Sequence, residues 1–156
     1  MRPQSGQTLL EVALLLPLLL LLLLGVVEMG RYAYISILVG NAARAGAAYG
    51  SEGLLKSVDT AGIQAAADND FVNNGQPVSK LTVSSSTSCG CDSGGTITGA
   101  LCTTDVNPTA GTCTTGHWVV MVSVTASGTF NSLFNYPGIP ASLAVSQTAT
   151  VRVPND

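Results

Sequence analysis

The sequence predicts an α+β chain: a long N-terminal transmembrane helix that runs on into an outer domain with a second short helix, a three-stranded antiparallel sheet and a disulfide-stapled loop. Three observations predict it. Residues 9–27 are all apolar or Gly/Pro apart from Glu11, residues 143–153 alternate between apolar and polar, and Cys89, Cys91, Cys102 and Cys113 fall in one polar stretch. A chain of 156 residues has room for one domain of ordinary size. Six basic against nine acidic side chains give a net charge of −3. They form no basic cluster, so the chain lacks the electrostatic footprint that nucleic acid requires.

As a helix, residues 9–27 would span roughly 28 Å at ~1.5 Å per residue, close to the hydrocarbon thickness of a bilayer. A cleavable secretory signal would have a shorter apolar core and a small-residue cleavage site after it. Here the sequence continues as Glu28, Met29, Gly30, Arg31 and Tyr32, all compatible with more helix. A retained span over 7–29 fits better. Pro17 lies inside it, and membrane helices tolerate proline where neighbours re-satisfy the freed carbonyl. Glu11 also lies inside it. A carboxylate in a spanning helix costs ~2.5–3.5 kcal/mol near the centre and less towards an interface, so it must sit near the headgroups or find a partner.

The helix is expected to continue to about Tyr49. Tyr32, Ile35, Leu38, Ala42, Ala45 and Tyr49 recur at three- and four-residue spacing and form one apolar stripe. The same segment is rich in Gly and Ala, which allows close approach either to the protein's own sheet or to a neighbouring subunit. Residues 50–53 (GSEG) break the helix. A second helix fits 58–72, with Ile63, Ala66, Ala67 and Phe71 on one side, and NNGQP over 73–77 reads as a turn. Strands are expected at 78–84, weakly patterned, at 118–126 and at 143–153. In the second of these, Val120, Val122 and Val124 share one face and Val119 and Met121 the other. Residues 130–140 (FNSLFNYPGIP) are too rich in Pro and Asn for a strand and read as a packed loop or one helical turn.

The segment 84–116 is rich in Ser, Thr and Gly and would lack the apolar side chains to order itself without bridges. An even cysteine count after a membrane-targeting segment argues for an oxidising compartment and two disulfides. A Cys89–Cys91 bridge would need a one-residue loop. If the strands before Cys89 and after Cys113 are neighbours, Cys89–Cys113 and Cys91–Cys102 form a nested pair; the crossed pair, Cys89–Cys102 with Cys91–Cys113, stays open. Cys113 and His117 resemble half of a zinc finger, but the remaining spacings suit a structural site poorly. His117 reads instead as the residue that begins a strand, and Asp68 with Asp70 as a solvated helix end. No nucleophile elbow, phosphate loop or paired carboxylates appear, so neither an enzyme nor a cofactor is expected.

Ahead of the span, MRPQSG (residues 1–6) is a short polar leader, followed by QTLLEV (residues 7–12). A Gly followed five positions later by Glu, at the edge of an apolar helix, resembles the class III signals that prepilin peptidases recognise. Cleavage after Gly6 would make Gln7 the new N-terminus and leave Glu11 at mature position five. With Pro17, the leucine run, GVVEMGR (residues 25–31) and NAARAGAA (residues 41–48), the chain resembles the TadE-like family, the pseudopilins of tight-adherence pilus systems. It departs from that pattern at Val12, where the family often has Phe.

The resemblance implies a minor pilin or pseudopilin, processed at Gly6 and Gln7. Its subunit assembly would depend on Glu11, which would meet a neighbour's N-terminal amine, and on Pro17. It divides the chain into a leader (1–6), a transmembrane helix (7–29) and an extracytoplasmic pilin-like domain (30–156). Expected partners are the membrane, a prepilin peptidase, other pilin subunits and the assembly machinery. The expected location is the cytoplasmic membrane, single-pass, with the C-terminal domain outside. Orientation rests on the resemblance, because Arg31 and Arg44 outside outweigh Arg2 inside. Two other readings remain: the main subunit of a filament, and a membrane-anchored binding protein that does not polymerise.

Overall fold

In the computed structural model, the structure describes residues 5–100, 102, 113–134 and 140–154. Residues 1–4 of the expected leader, residue 101, the whole stretch 103–112 between Cys102 and Cys113, and residues 135–139 and 155–156 lie outside these.

Helix α1 (Ser5–Gly50) is continuous over 46 residues, roughly 69 Å at ~1.5 Å per residue. Its two halves face different surroundings. From Leu9 to Val27 nearly every large side chain is exposed, Leu9 at 72% and Leu14 at 71% among them. A helix that shows leucine in all directions is stable only where its solvent is apolar. From Leu38 onward one face is buried, through Leu38, Val39, Ala42, Ala43, Gly46, Ala47 and Gly50. The expected stripe therefore holds at Leu38 and Ala42 but is rotated: Tyr32 is exposed, and Ala45 and Tyr49 are half-buried. Beyond Val39 the inward residues are all small, Ala42, Ala43, Gly46, Ala47 and Gly50.

After the break at Ser51–Gly53 come a short turn of helix, α2 (Leu54–Ser57), and α3 (Thr60–Asn73). Asp59 caps α3, its Oδ1 accepting from the Gly62 amide at 3.0 Å. Its Oδ2 accepts from the Tyr49 hydroxyl at 2.8 Å and ties α3 to the end of α1. The Gly62 amide, then the Tyr49 hydroxyl, hold the Asp59 carboxyl below its usual range, and the same bond pushes the Tyr49 hydroxyl up. The Lys56 ammonium is likewise raised, by its hydrogen bond to Glu52. Ile63, Ala67 and Phe71, one turn apart, are the buried side of α3.

The sheet has four strands rather than three, in the order β2-β1-β3-β4, all antiparallel. They are β1 (Leu81–Ser93), β2 (Thr96–Ala100), β3 (His117–Asn131) and β4 (Ser142–Val153). Residues 78–80, expected as strand, form a 3-10 turn, and much of the expected loop 84–116 is strand. The reason is visible in the register, which runs from Leu81 opposite Gly128 to Asp92 opposite His117. Thr82, Ser84, Ser86 and Ser88 alternate onto the exposed face, while β3 supplies the apolar partner surface. On β3 the inward side is Val120, Val122, Val124, Ala126 and Phe130, as the alternation predicts, and the inward Val145 and Val153 of β4 complete it. On the outer face the hydroxyls of Ser123 and Thr150 (2.6 Å), and of Thr125 and Thr148 (2.8 Å), pair across the strands. Asp68 and Asp70 are not a solvated helix end; both are half-buried, each with one oxygen shielded from solvent.

The upper half of α1 lies across this sheet at close range. A Cβ at Gly46 would stand 3.1 Å from both the Ile63 carbonyl oxygen and Val124 Cγ1, and one at Gly128 would stand 2.8 Å from Val39 Cγ2. The small residues thus serve packing within the chain. Gly46→Leu is expected to lower the stability of the detergent-solubilised monomer by about 1–3 kcal/mol through overpacking. Ala48→Leu, on the exposed side of the same turn, should leave it within experimental error. Chemical denaturation of the two variants reads the difference, and equal effects would contradict this packing.

Candidate functional site

The residues singled out in the sequence fall at the two ends of the molecule. Gly6 and Gln7 lie in the first turn of α1. Glu11 lies one turn further, exposed, and among the described residues it meets no donor or cation. Pro17 sits within the unbroken helix and is exposed. Its missing N–H leaves the Ala13 carbonyl without its intrahelical partner. Nothing within the described residues covers Glu11 or Pro17.

The cysteines sit at the far end of the sheet, remote from the apolar half of α1. They form two disulfides, Cys89–Cys102 and Cys91–Cys113, with sequence separations of 13 and 22. This is the crossed set, and it overturns the nested one. The condition for nesting is met, since β1 and β3 are neighbours, but an additional strand changes its consequence. Gly94 and Gly95, both at positive φ, make a two-residue turn between Ser93 and Thr96, the geometry of a type I′ hairpin. Asp92 Oδ1 steadies it by accepting from the Gly95 amide at 2.9 Å. The hairpin brings Ala100 opposite Cys89, so Cys102 arrives beside Cys89. Cys91 stands opposite Trp118, close to where the chain enters β3, and takes Cys113. The signal was present in the sequence, because a Gly-Gly pair between strand-compatible residues is a hairpin signature.

His117 begins β3 as expected, with Nε2 3.6 Å from Asp92 Oδ2, and Arg152 Nη1 is 3.4 Å from the same oxygen. Among the described residues no group of three or more His, Cys, Asp or Glu could hold a metal ion.

A third locus escapes sequence reasoning. Where α1 passes from its exposed apolar half to the sheet, Glu28 Oε1 accepts from the Leu133 amide at 2.7 Å and Glu28 Oε2 from Arg31 Nη1 at 3.1 Å. The Arg31 guanidinium lies 5.3 Å from the centre of the Phe130 ring, and Tyr32 meets that ring edge-on at 5.6 Å. These contacts join positions about a hundred residues apart, for which local periodicity carries no signal.

Residues 6–48 match the family model of TadE-like proteins. The N-terminal segment is TadE-like. This is the family that the leader, the glutamate and the leucine run resemble, and the match suggests a Tad pilus-associated protein. No curated protein and no solved structure gives a significant match to the chain. The TadE-like segment ends two residues before α1 does, so the sheet and both disulfides lie beyond it. Within it lie Gly6, Gln7, Glu11 and Pro17, together with Glu28 and Arg31 of the junction and all the sheet-facing small residues but Gly50. It covers most of α1, the one helix among the described residues that is long and apolar enough to cross a membrane, which suggests single-pass anchoring.

Two disulfides are thus expected in a non-reduced digest as peptides linking Cys89 to Cys102 and Cys91 to Cys113; nested peptides would contradict the hairpin. Cys113→Ser, made together with Cys91→Ser, should lower stability by about 2–4 kcal/mol. It should also open the hairpin to protease while α1 and β4 stay protected.

Proposed function

We propose that the chain is a pilin-like structural protein, a minor pilin or pseudopilin, of a tight-adherence pilus. A prepilin peptidase removes residues 1–6, the product is held in the cytoplasmic membrane with its sheet outside, and it is then docked onto or built into the filament. The observation that carries this reading is the state of α1. Its lower half is a bare apolar rod with one carboxylate near its start and no internal packing. Such a rod suits a lipid environment first and the helices of other subunits afterwards, since both are apolar solvents for leucine. Glu11 gives the second step a direction. Its burial among helices is costly alone and is offset when the new amine at Gln7 of a neighbouring subunit lies against it. Pro17, one and a half turns further on, weakens the helix where it must adapt to those neighbours.

Processing has a direct readout. The mature wild-type protein should begin at Gln7, while Gly6→Val should retain Met1 and run as a slightly heavier species. N-terminal sequencing that finds Met1 in both would leave a plain membrane anchor and refute pilin-like maturation.

Assembly is separable from insertion. Glu11→Ala should enter the membrane as well as wild type, since it removes a charge from a spanning segment, yet be depleted at least tenfold, about 1.4 kcal/mol, from sheared filaments. Recovery of the variant in filaments at the wild-type level would deny the carboxylate this role.

A further inference from the structure

We infer that the junction of α1 with the base of the sheet is a binding cleft for a lipid acyl chain, which seats the outer domain on the leaflet into which α1 is anchored. This rests on the single-pass anchoring of α1, and the experiment below tests the two separately.

The cleft has a volume of about 450 Å³, within the range of small-molecule sites. Leu21, Gly25 and Met29 line it from the helix, and Phe130, Pro140 and Leu143 from the domain. Its wall is almost wholly carbon. At Gly25 there is open space, as a Cβ would meet nothing within 4 Å. Depth is what selects the occupant. Leu21 lies six residues before Val27, the end of the apolar run, and so about 9 Å below it along the helix. A domain wall that reaches Leu21 and Gly25 is therefore below the edge of the hydrocarbon, at the ~5–10 Å to which interfacial apolar surfaces sink. The helix wall of the cleft belongs to the stretch that acyl chains already solvate, so the cleft is continuous with the lipid.

The polar groups at the edge of that stretch are arranged as lipid demands. An unpaired backbone N–H costs several kcal/mol in hydrocarbon. The Leu133 amide, beside the cleft, is capped by Glu28 at 2.7 Å, and Glu28 is neutralised by Arg31 at 3.1 Å, its side chain only 12% exposed. Two large apolar side chains stand outward at this end, Leu133 at 60% exposed and Phe134 at 43%, among exposed polar ones such as Asn131 and Ser142. Facing water, such a patch would be a liability; facing acyl chains, it adds binding area.

The test uses the full chain in phosphatidylcholine vesicles, with and without bromine on the lipid acyl chains. The single tryptophan, Trp118, is replaced by Phe, and new tryptophans are placed one at a time at Leu143, Leu133 and Leu55. Flotation with the vesicles reads anchoring. Bromolipid should at least halve the fluorescence of Leu143→Trp, in the cleft, and of Leu133→Trp, whose exposed position tolerates the change. Leu55→Trp, far from the junction, should be unaffected. Adding Gly25→Leu, which fills the cleft, should reduce quenching at position 143 and spare position 133. If the protein floats but neither junction probe is quenched, the cleft is dry of lipid and the inference is overturned while anchoring stands. If it does not float, anchoring itself fails and takes the cleft with it. If quenching at 143 falls as protein is crowded in the vesicles while copies cross-link through the junction, the occupant is a second copy's helix, which also overturns the inference.

Discussion

The outer domain depends on the closeness with which the upper half of α1 lies against β3. Side chains at Ala42, Ala43, Gly46, Ala47 and Gly50 are small enough for the helix backbone to approach the sheet, and Gly128 leaves room for Val39, which a Cβ there would meet at 2.8 Å. Dispersion contacts fall off steeply with separation, so a gap of even 0.5–1 Å would forfeit a quarter to a half of them. With the helix held this near, Val120, Val122, Val124 and Ala126 lose all exposure, and α3 closes over the same surface through Ile63, Ala67 and Phe71. The strands then order in turn. β3 pairs with β1 on one side and β4 on the other, and β1 carries β2.

This arrangement explains which parts of the fold were legible. α1 to its last turn, α3 within two residues and the alternating β3 and β4 follow from period and composition, although on the apolar face of β4 only Val145 and Val153 are buried while Leu143 and Val151 stay exposed. The inward stripe of α1 holds at Leu38 and Ala42 but was misplaced towards Ala45 and Tyr49, because three- and four-residue spacing does not say which of two adjacent rows faces the sheet; the buried row there runs through Ala43, Gly46, Ala47 and Gly50. β1 was hidden by its serines. Thr82, Ser84, Ser86 and Ser88 resemble a loop until the partner strand is known, since their order comes from twelve residues of pairing with β3 and not from their own burial. Inward, Thr87 resolves its own polarity locally, donating to the Ser57 carbonyl at 2.6 Å. The disulfide pairing was wrong for the same reason, as the hairpin that decides it belongs to the segment taken for a loop.

The candidate site was legible in a different way. Gly6, Gln7, Glu11 and Pro17 stand out by sequence register alone, and the fold adds only that all four lie in α1 and that Glu11 and Pro17 are exposed. Glu28 is the contrasting case. In the sequence it is one more acid at the end of a hydrophobic run, and its partners Leu133 and Phe130 are identified only by tertiary contact. A carboxylate there is tolerable because Arg31 and a backbone amide share it, whereas Glu11, in the same helix, is exposed and meets no such partner among the described residues. Two acids on one helix thus differ in status: folding satisfies Glu28 and leaves Glu11 exposed.

The two ends of the sheet are stabilised by different means, and composition dictates which. At the base, α1 and Phe130 supply aromatic and aliphatic surface, so apolar contact suffices. At the far end, β2 is exposed at every residue and has nothing to bury. A five-residue strand on an edge would not hold its place by hydrogen bonds alone, because each contributes only about 0.5–1.5 kcal/mol against the cost of ordering a residue. The two disulfides make up the difference by restricting the unfolded chain, at a cost to neither core nor helix. They fasten both flanks of the hairpin, Cys89 to the strand's return and Cys91 to the approach of β3. The hairpin can therefore display a surface made mostly of Ser, Thr and Gly and still be ordered, because its stability does not come from the side chains it displays.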